Sequence, residues 1–407
     1  MFKNRSLLFG IIILVVITSI LSFSAAAFIF LGTGYFKPNY QISFEPGKVS
    51  FENIKKFNKV RNILENEYYQ DVDENALLEG AVAGMADSLK DPYTNYFSKD
   101  QMKMFMEKSE GSYVGIGVSI NADNNGILNI IEAFEDSPAK KAGITQGDKI
   151  MKVDDTDVTS IRDENMVISM IKGKEGTNVK VTVYRPSEGK YIDFDLVRKK
   201  IKITNISSEV LTGNIGYIKI VMFDSEIASD FEAHLNKLLE KKIKGLVIDL
   251  RDNPGGDYSQ VVQIADRLLP EGLIVYTEDR AKRRNEERSD KNELKLPISI
   301  LINGNSASAS EILSGAVKDL HKGTLVGTRT FGKGLVQTVK LLDDGSGIKV
   351  TIARYFTPSG VCIQGIGIAP DVEVKLDEKF DGKPVSQVPK AEDGQLKKAM
   401  EVINSAQ

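Results

Sequence analysis

Ile298-Ser-Ile-Leu-Ile-Asn-Gly-Asn-Ser-Ala-Ser-Ala-Ser-Glu-Ile-Leu-Ser-Gly-Ala-Val-Lys-Asp-Leu320 reads as a buried strand over Ile298 to Ile302, a turn of small polar residues, and a helix over Ser310 to Leu320. The same alternation runs through the last half of the chain. Ile215 to Ile220, Gly245 to Leu250, Thr324 to Gly327, Ile348 to Ala353 and Val372 to Val374 are rich in β-branched and aliphatic residues, and a helical pattern covers Glu226 to Lys241. Strands alternating with helices imply a layered α/β core around a sheet, set here at 201–376. Arg280 to Lys295 is dense in charge and is expected to be an exposed loop or helix.

Upstream, between Gly111 and Lys199, the texture is that of strands separated by turn signals, with helical patches at Ser137 to Ala142 and Asp163 to Ile171. These features define an α+β module at 109–200. Ser137-Pro-Ala-Lys-Lys-Ala-Gly143, Gly147-Asp-Lys-Ile150 and the glycine-containing run Tyr113-Val-Gly-Ile-Gly117 closely resemble a PDZ domain. That resemblance implies a groove between a strand and a helix. An extended peptide would add to the strand, and the backbone around Tyr113, Val114, Gly115, Ile116 and Gly117 would receive its terminal carboxylate. The alternative for Gly115-Ile-Gly117 is a simple strand bend. A dinucleotide loop is disfavoured because no third glycine and no helix follow.

Before this module, Ile54, Phe57, Val60, Ile63 and Leu64, then Leu77, Leu78, Val82, Met85 and Leu89, recur at helical spacing, giving a helical region at 50–108. It is broken at Asp91-Pro-Tyr-Thr-Asn-Tyr-Phe97. Further upstream, Lys3 and Arg5 precede a charge-free stretch from Leu7 to Leu31, longer than the ~20 residues a helix needs to cross a bilayer. The expectation is a single-pass membrane anchor over 1–35, with the rest of the chain extracytoplasmic. The competing reading is a cleaved signal peptide, for which Phe23-Ser-Ala-Ala-Ala27 offers small residues. After Asp377 the tail at 377–407 is polar except for Leu396, Ala399, Met400 and Ile403 at helical spacing, which suit a packing or oligomer contact.

Composition excludes several classes of function. The 407 residues carry a formal charge of −3 with basic residues spread along the chain, which gives no electrostatic footprint for nucleic acid. One cysteine, Cys362, and two histidines, His234 and His321, can build neither a disulfide framework nor a conventional zinc site. No cofactor or metal is expected.

A hydrolase with so little histidine needs another base. Ser308 sits where the strand turns into the helix, and Lys333 lies in Gly327-Thr-Arg-Thr-Phe-Gly-Lys-Gly334, where a desolvated amine can act as a neutral base. Gln337 can orient that amine without adding charge. Asp249-Leu-Arg-Asp-Asn-Pro-Gly-Gly256 ends a strand in a turn whose Gly255 and Gly256 N–H groups are candidate oxyanion donors. Each signal alone has a plain alternative: a serine in a Ser/Ala run is commonly a helix cap, and a Gly-Lys-Gly turn a solvated hairpin. A phosphate loop fits up to Lys333, but Gly334 stands where Ser or Thr should hold magnesium, and Leu335 to Leu341 alternates like a strand. His321 is expected to be a surface side chain near a helix end.

From about residue 50 to 375 the chain resembles the carboxy-terminal processing peptidases, a tail-specific serine protease family with a Ser/Lys catalytic pair. The matching blocks are Asp91-Pro-Tyr-Thr, the PDZ-like segment, Asp249 to Gly256, Ser306-Ala-Ser-Ala-Ser-Glu311, Phe331-Gly-Lys-Gly334 with Gln337, Thr357-Pro-Ser-Gly360 and Gly367-Ile-Ala-Pro-Asp371. The resemblance implies Ser308 as nucleophile, Lys333 as base, Gln337 as the residue that positions it, and oxyanion donors from the Gly255/Gly256 turn and the Ala309 N–H. Asp319 matches a carboxylate of some members, beside its alternative role as a solvated residue at a helix end. The expected activity is a membrane-anchored serine endopeptidase acting near disordered C-termini of protein substrates, with a homodimer or higher homo-oligomer as a possible assembly. The competing class is a non-enzymatic anchored scaffold that uses the peptide groove alone.

Overall fold

The computed structural model describes residues 50–123 and 126–406, together with Thr18. The expected anchor over 1–35 lies outside these residues apart from Thr18. Among the described residues no helix is long and apolar enough to cross a membrane.

Two units are distinguished, 1–78 and 79–407. In the first, Ser50 caps the helix Phe51–Glu67 by accepting from the Asn53 N–H. Its apolar stripe, including Phe57, Val60, Ile63 and Leu64, is exposed.

In the second unit, Lys99–Glu110 is a helix that ends at Gly111, whose φ of 66° is the left-handed conformation that favours glycine. The break expected at Asp91 to Phe97 holds a short strand, Asn95–Phe97, paired antiparallel with Lys349, Ile348 and Gly347.

The module that follows has its own core of Ile116, Leu128, Ile130, Ile150, Val167, Val179, Val181 and neighbours. Its sheet runs in the order Val118–Ala122, Leu128–Ala133, Lys149–Val153, Asn178–Arg185, Lys190–Val197. Ser137 caps the helix Pro138–Ala142, and Gly143 closes it. Among the described residues the strand Val118–Ala122 is an edge, paired only with Leu128–Ala133, and the helix Glu164–Ile171 buries Val167 and Ile171 in the same core. Ser112–Gly115 pairs with Lys199–Lys202, so entry and exit of the module lie side by side.

The third region is built on a six-stranded sheet: Ile206–Leu211, Ile215–Ile220, Gly245–Asp249, Ile298–Ile302, Gly323–Gly327, Val372–Glu373. Only the first pair is antiparallel. The central strands are buried on both faces, which explains their continuous apolar texture. Ile218, Ile248, Ile300 and Leu325 face the helices Ile227–Glu240, Tyr258–Leu268 and Ala309–Asp319. Tyr217, Val247, Leu301 and Val326 face the opposite side, where Leu396, Ala399 and Ile403 of the helix Gly394–Ser405 pack onto them. The tail's helical spacing is thus used inside this chain.

A second sheet carries Gly347–Phe356 flanked by Leu335–Leu341, Asn95–Phe97 and the hairpin Gly272–Asp279 with Arg284–Ser289. This corrects the expectation of a loop or helix over Arg280 to Lys295. Pairing with Gly272–Asp279 satisfies the backbone of Arg284–Ser289, while its charged side chains remain largely exposed.

A buried ionic cluster fixes the tail to the sheet, a role that the sequence reading did not give to Arg251. Arg251 is 1% exposed and donates to Asp249 (2.6 and 2.9 Å), Asp393 (2.8 and 3.0 Å) and Gln395 (2.9 Å), while the Tyr217 hydroxyl donates to Asp249 (2.7 Å). Burial alone would raise the Asp249 carboxyl, but Arg251 holds it below the ordinary carboxylate value. The stability this contributes is present above roughly pH 4 and lost as pH falls through the depressed folded value. Arg251→Met would leave Asp249 and Asp393 buried without their counter-charge. Urea unfolding of the full chain in detergent should then show a loss of about 3–5 kcal/mol.

Candidate active site

The carboxyl ends of neighbouring parallel strands converge at the turn after Ile302. Asn303 exchanges hydrogen bonds with Asp252, and the Ser306 hydroxyl donates to Leu250 O (2.8 Å). The buried Asn253 is the template for the next residues: its carbonyl accepts from Ala307 N and the Ser310 hydroxyl, both at 3.0 Å. Together these contacts force Ser308 to φ 55°, ψ −113°. Such a backbone costs a non-glycine residue about 1–3 kcal/mol and persists only where surroundings over-determine it. Ser308 is half-buried at the N-terminus of the helix Ala309–Asp319.

One carboxyl group ties this turn to the lysine loop. Glu311 is fully buried; Oε2 accepts from Ser308 N (2.9 Å) and Lys333 N (2.9 Å), and Oε1 from Gly332 N (2.7 Å) and the Thr330 hydroxyl (2.6 Å). Glu311 stands in a quoted motif, but sequence reading gave it no role. The available signal was its place three residues after Ser308, the spacing of a capping box.

Lys333 is held by a loop that needs its glycines. Gly332 has φ 91°, and a Cβ there would meet Gly367 N at 2.8 Å and Ile366 N at 3.0 Å. The Lys333 ammonium lies 4.8 Å from the centroid of the Tyr93 ring. Among the described residues it makes no hydrogen bond or ion pair, including none to Ser308. Burial first, and then the like charge of Lys349, push Lys333 below the ordinary lysine value, while Glu311 and Asp91 oppose the shift. Lys333 runs into the strand Leu335–Leu341 rather than a helix, so the loop lacks the helix N-terminus that a phosphate site uses.

Gln337 is placed differently from the expectation. Its Nε2 donates to the Thr351 hydroxyl at 3.4 Å, and no hydrogen bond joins it to Lys333 among the described residues. Thr351 is linked to Asp91 through Thr94, whose hydroxyl donates to Asp91 (2.7 Å) and accepts from Thr351 N (3.1 Å). The Asp91 to Thr94 turn is thereby stitched beside Lys333.

The glycine turn packs directly on Ser308. A Cβ on Gly255 would lie 2.8 Å from Ser308 Cβ and 2.9 Å from Ala309 N. The Gly255 N–H donates to Asn253 Oδ1 at 2.8 Å and is committed. Gly256 is exposed, its neighbours bond to Phe223 on one side, and its own N–H has no partner among the described residues. The first-turn Ala309 N–H is likewise uncommitted.

Asp319 accepts from Ser359 N (2.9 Å), and His321 is exposed beyond the same helix. His234 shares a 2.7 Å hydrogen bond with Ser208, on the strand Ile206–Leu211, which pairs only with Ile215–Ile220 at the far edge of the sheet from the lysine loop. Among the described residues no group of three His, Cys, Asp or Glu could hold a metal ion.

In the upstream module, Tyr113 is half-buried and folds over Gly115, and Lys172, paired with Glu107 at 2.6 Å, lies 4.9 Å from its ring. Phe134 N donates to Gly117 O in register with the Val118–Ala133 pair, so the Val118 N–H points away from the sheet. Burial pushes the Tyr113 hydroxyl up to about 12, the nearby Val118 N–H acting against it. Ile116 and Gly117 are buried, Val114 half-buried.

The arrangement defines a peptidase of the serine type carrying a PDZ module. Residues 214–374 match peptidase family S41, 114–197 a PDZ domain and 36–101 the N-terminal domain of the activating protease CtpB. The chain is 35% identical over 347 residues to a carboxy-terminal-processing protease of Bartonella bacilliformis, covering 83% of this chain and 79% of that protein. It is 36% identical over 326 residues to a probable CtpA-like serine protease of Staphylococcus epidermidis, covering 79% of this chain but 65% of that longer protein. Among solved structures, the photosystem II D1 C-terminal processing protease is 31% identical with a TM-score of 0.47, covering 79% of this chain and 88% of that one. The chain belongs to peptidase family S41, the carboxy-terminal processing proteases.

Glu311→Gln is the direct test of the clamp. An amide can satisfy one side of this site but turns an N–H₂ against donors on the other, so kcat should fall roughly a hundredfold with little change in KM. Steady-state kinetics on a peptide substrate read both.

Proposed function

We propose that the chain is a membrane-anchored endopeptidase that cleaves proteins near disordered C-termini, with Ser308 as nucleophile and Lys333 as neutral base. The observation that carries this reading is the Glu311 clamp, which fixes a strained serine and an unpaired, half-buried lysine loop through a single carboxyl group. Lys333 Nζ would turn from the Tyr93 ring to Ser308 Oγ and accept its proton as Oγ attacks the scissile carbonyl. The N–H groups of Gly256 and Ala309 would receive the oxyanion. On collapse, the C–N bond breaks, the leaving amine takes the proton from Lys333, and water hydrolyses the Ser308 ester by the same route in reverse. Gln337 would assist through the Thr351 and Asp91 chain beside the amine.

The upstream module would capture the substrate's terminal carboxylate at Ile116, Gly117 and Val118, extending the edge strand Val118–Ala122. The Val118 N–H, aimed off the ladder, would donate to that carboxylate. Its charge-assisted hydrogen bond is roughly twice as strong as a neutral one, which favours a true C-terminus over an internal carbonyl. The charge-free stretch from Leu7 to Leu31 would hold the enzyme in the membrane with its catalytic part extracytoplasmic.

Casein hydrolysis by the full chain in detergent separates this enzyme from a scaffold. Ser308→Ala and Lys333→Arg should each lower kcat by at least about a thousandfold, since a guanidinium stays protonated and cannot accept the serine proton. Parental activity should rise with pH through an ionisation below the ordinary lysine value of roughly 10.4, because the lowered amine must lose its proton to act. Near-parental hydrolysis by Lys333→Arg, or its loss in His234→Ala or His321→Ala, would assign the base elsewhere.

Val118→Pro removes the groove-facing donor without touching the ladder. Cleavage of a folded protein with a disordered tail should slow roughly tenfold while short peptides are spared. Equal rates for variant and parent on both substrates would refute capture by this groove.

A further inference from the structure

A second lysine stands along the same Asp91 to Phe97 segment with no role in the proposed reaction. Lys349 lies on the strand Gly347–Phe356, opposite Val339 on one side and Asn95 on the other. Its ammonium sits 5.6 and 5.5 Å from the ring centroids of Phe97 and Phe105, which stack on each other at 5.2 Å. Among the described residues it has no hydrogen bond or ion pair. Two residues along the strand, on the same face, Thr351 meets Gln337 and, through Thr94, Asp91. The segment from Asp91 to Phe97 therefore touches both ammonium groups, Tyr93 lying against Lys333 and Phe97 against Lys349.

The charged groups that act on Lys333 come from three elements: Glu311 from the nucleophile helix, Asp91 from the turn before Asn95–Phe97, and Lys349 from the second sheet. The two carboxylates favour the ammonium; only burial and Lys349 oppose them. Burial lowers Lys349 as well, with Asp91 acting against it, and the ring faces also favour its charged form.

We propose that Lys349 is a positioning residue for the base: its ammonium, set against the stacked rings of Phe97 and Phe105 on the strand that pairs with Leu335–Leu341, disfavours a proton on the Lys333 amine and readies it to accept the Ser308 proton. This rests on the Ser308/Lys333 reading and adds the group that lets a lysine beside two carboxylates work near neutral pH.

The test is the pH profile of kcat/KM for the full chain in detergent carrying Lys349→Met, Lys349→Gln or Lys349→Arg. In the two neutral variants the acid limb should move to higher pH, so that kcat/KM near neutrality falls roughly three- to tenfold and returns to the parental level above the limb. Lys349→Arg, which keeps the charge, should leave the limb near its parental place. A limb that does not move, or an equal loss at every pH, overturns the proposal. Competitive labelling of Lys333 with acetic anhydride, read by mass spectrometry in the Ser308→Ala background, follows the same ionisation without requiring turnover. Removing the Lys349 charge should delay labelling to higher pH, and unchanged labelling counts against the role. An active Lys333→Arg would sink the underlying base assignment instead, an outcome separate from either result at Lys349.

Discussion

Everything at the candidate site depends on where the Glu311 carboxyl group is held. Four donors converge on its two oxygens, two of them the backbone N–H groups of Ser308 and Lys333. A left-handed serine is unfavourable by itself, and a glycine-flanked lysine loop has entropy to lose. A buried carboxyl group compensates both, because it would itself be costly to bury without those donors. The Ser308 turn and the Lys333 loop are thus one structural unit despite being separate in sequence.

The sheet supplies the platform for that unit. Parallel strands that end together bring Asp252, Asn253 and Asn303 to one edge, the usual place for a site in an open α/β sheet. Both faces must then be covered, and the tail helix covers the face that the other three leave open. Arg251 links the two tasks. Its cluster anchors Asp393, the cap of the tail helix, at the strand end from which the Gly255/Gly256 turn departs. Stability of the far face and geometry of the glycine turn are therefore coupled through a single guanidinium.

Local pattern made much of this legible. Period-two and period-3.6 spacing mark the strands and helices of the core, and the strand, small-residue turn and helix around Ser308 mark the candidate site. The PDZ module was visible from its helix cap and glycine turns. What local pattern does not carry is long-range pairing. Arg284–Ser289 is a strand because Gly272–Asp279 lies beside it, and its exposed charged side chains read as solvent-facing loop. Glu311 looked like an ordinary residue of the first helical turn until the Thr330 to Lys333 loop was folded against it. Gln337 was expected at the amine, yet its strand register sets it opposite Thr351, a pairing that spacing from Lys333 cannot reveal. The Asp91 to Phe97 segment reads as a break in the helical region; that its Tyr93 and Phe97 face two ammonium groups follows only from its pairing with Gly347–Phe356.

A lysine base imposes a constraint that a histidine base does not. Histidine is mostly neutral near pH 7 without help, whereas lysine can accept a proton there only when its ionisation is brought below its ordinary value. Desolvation is the available lever, and it works only if the amine is denied water and strong partners. The Gly332 turn achieves this by close backbone approach to Gly365, Ile366 and Gly367, and Tyr93 covers the ammonium with a ring rather than a carboxylate. An ion pair there would undo the shift, since a paired ammonium keeps its proton. The carboxyl group the site does need, Glu311, is occupied by backbone N–H groups and the Thr330 hydroxyl, so it can fix the loop without pairing with the amine the loop carries.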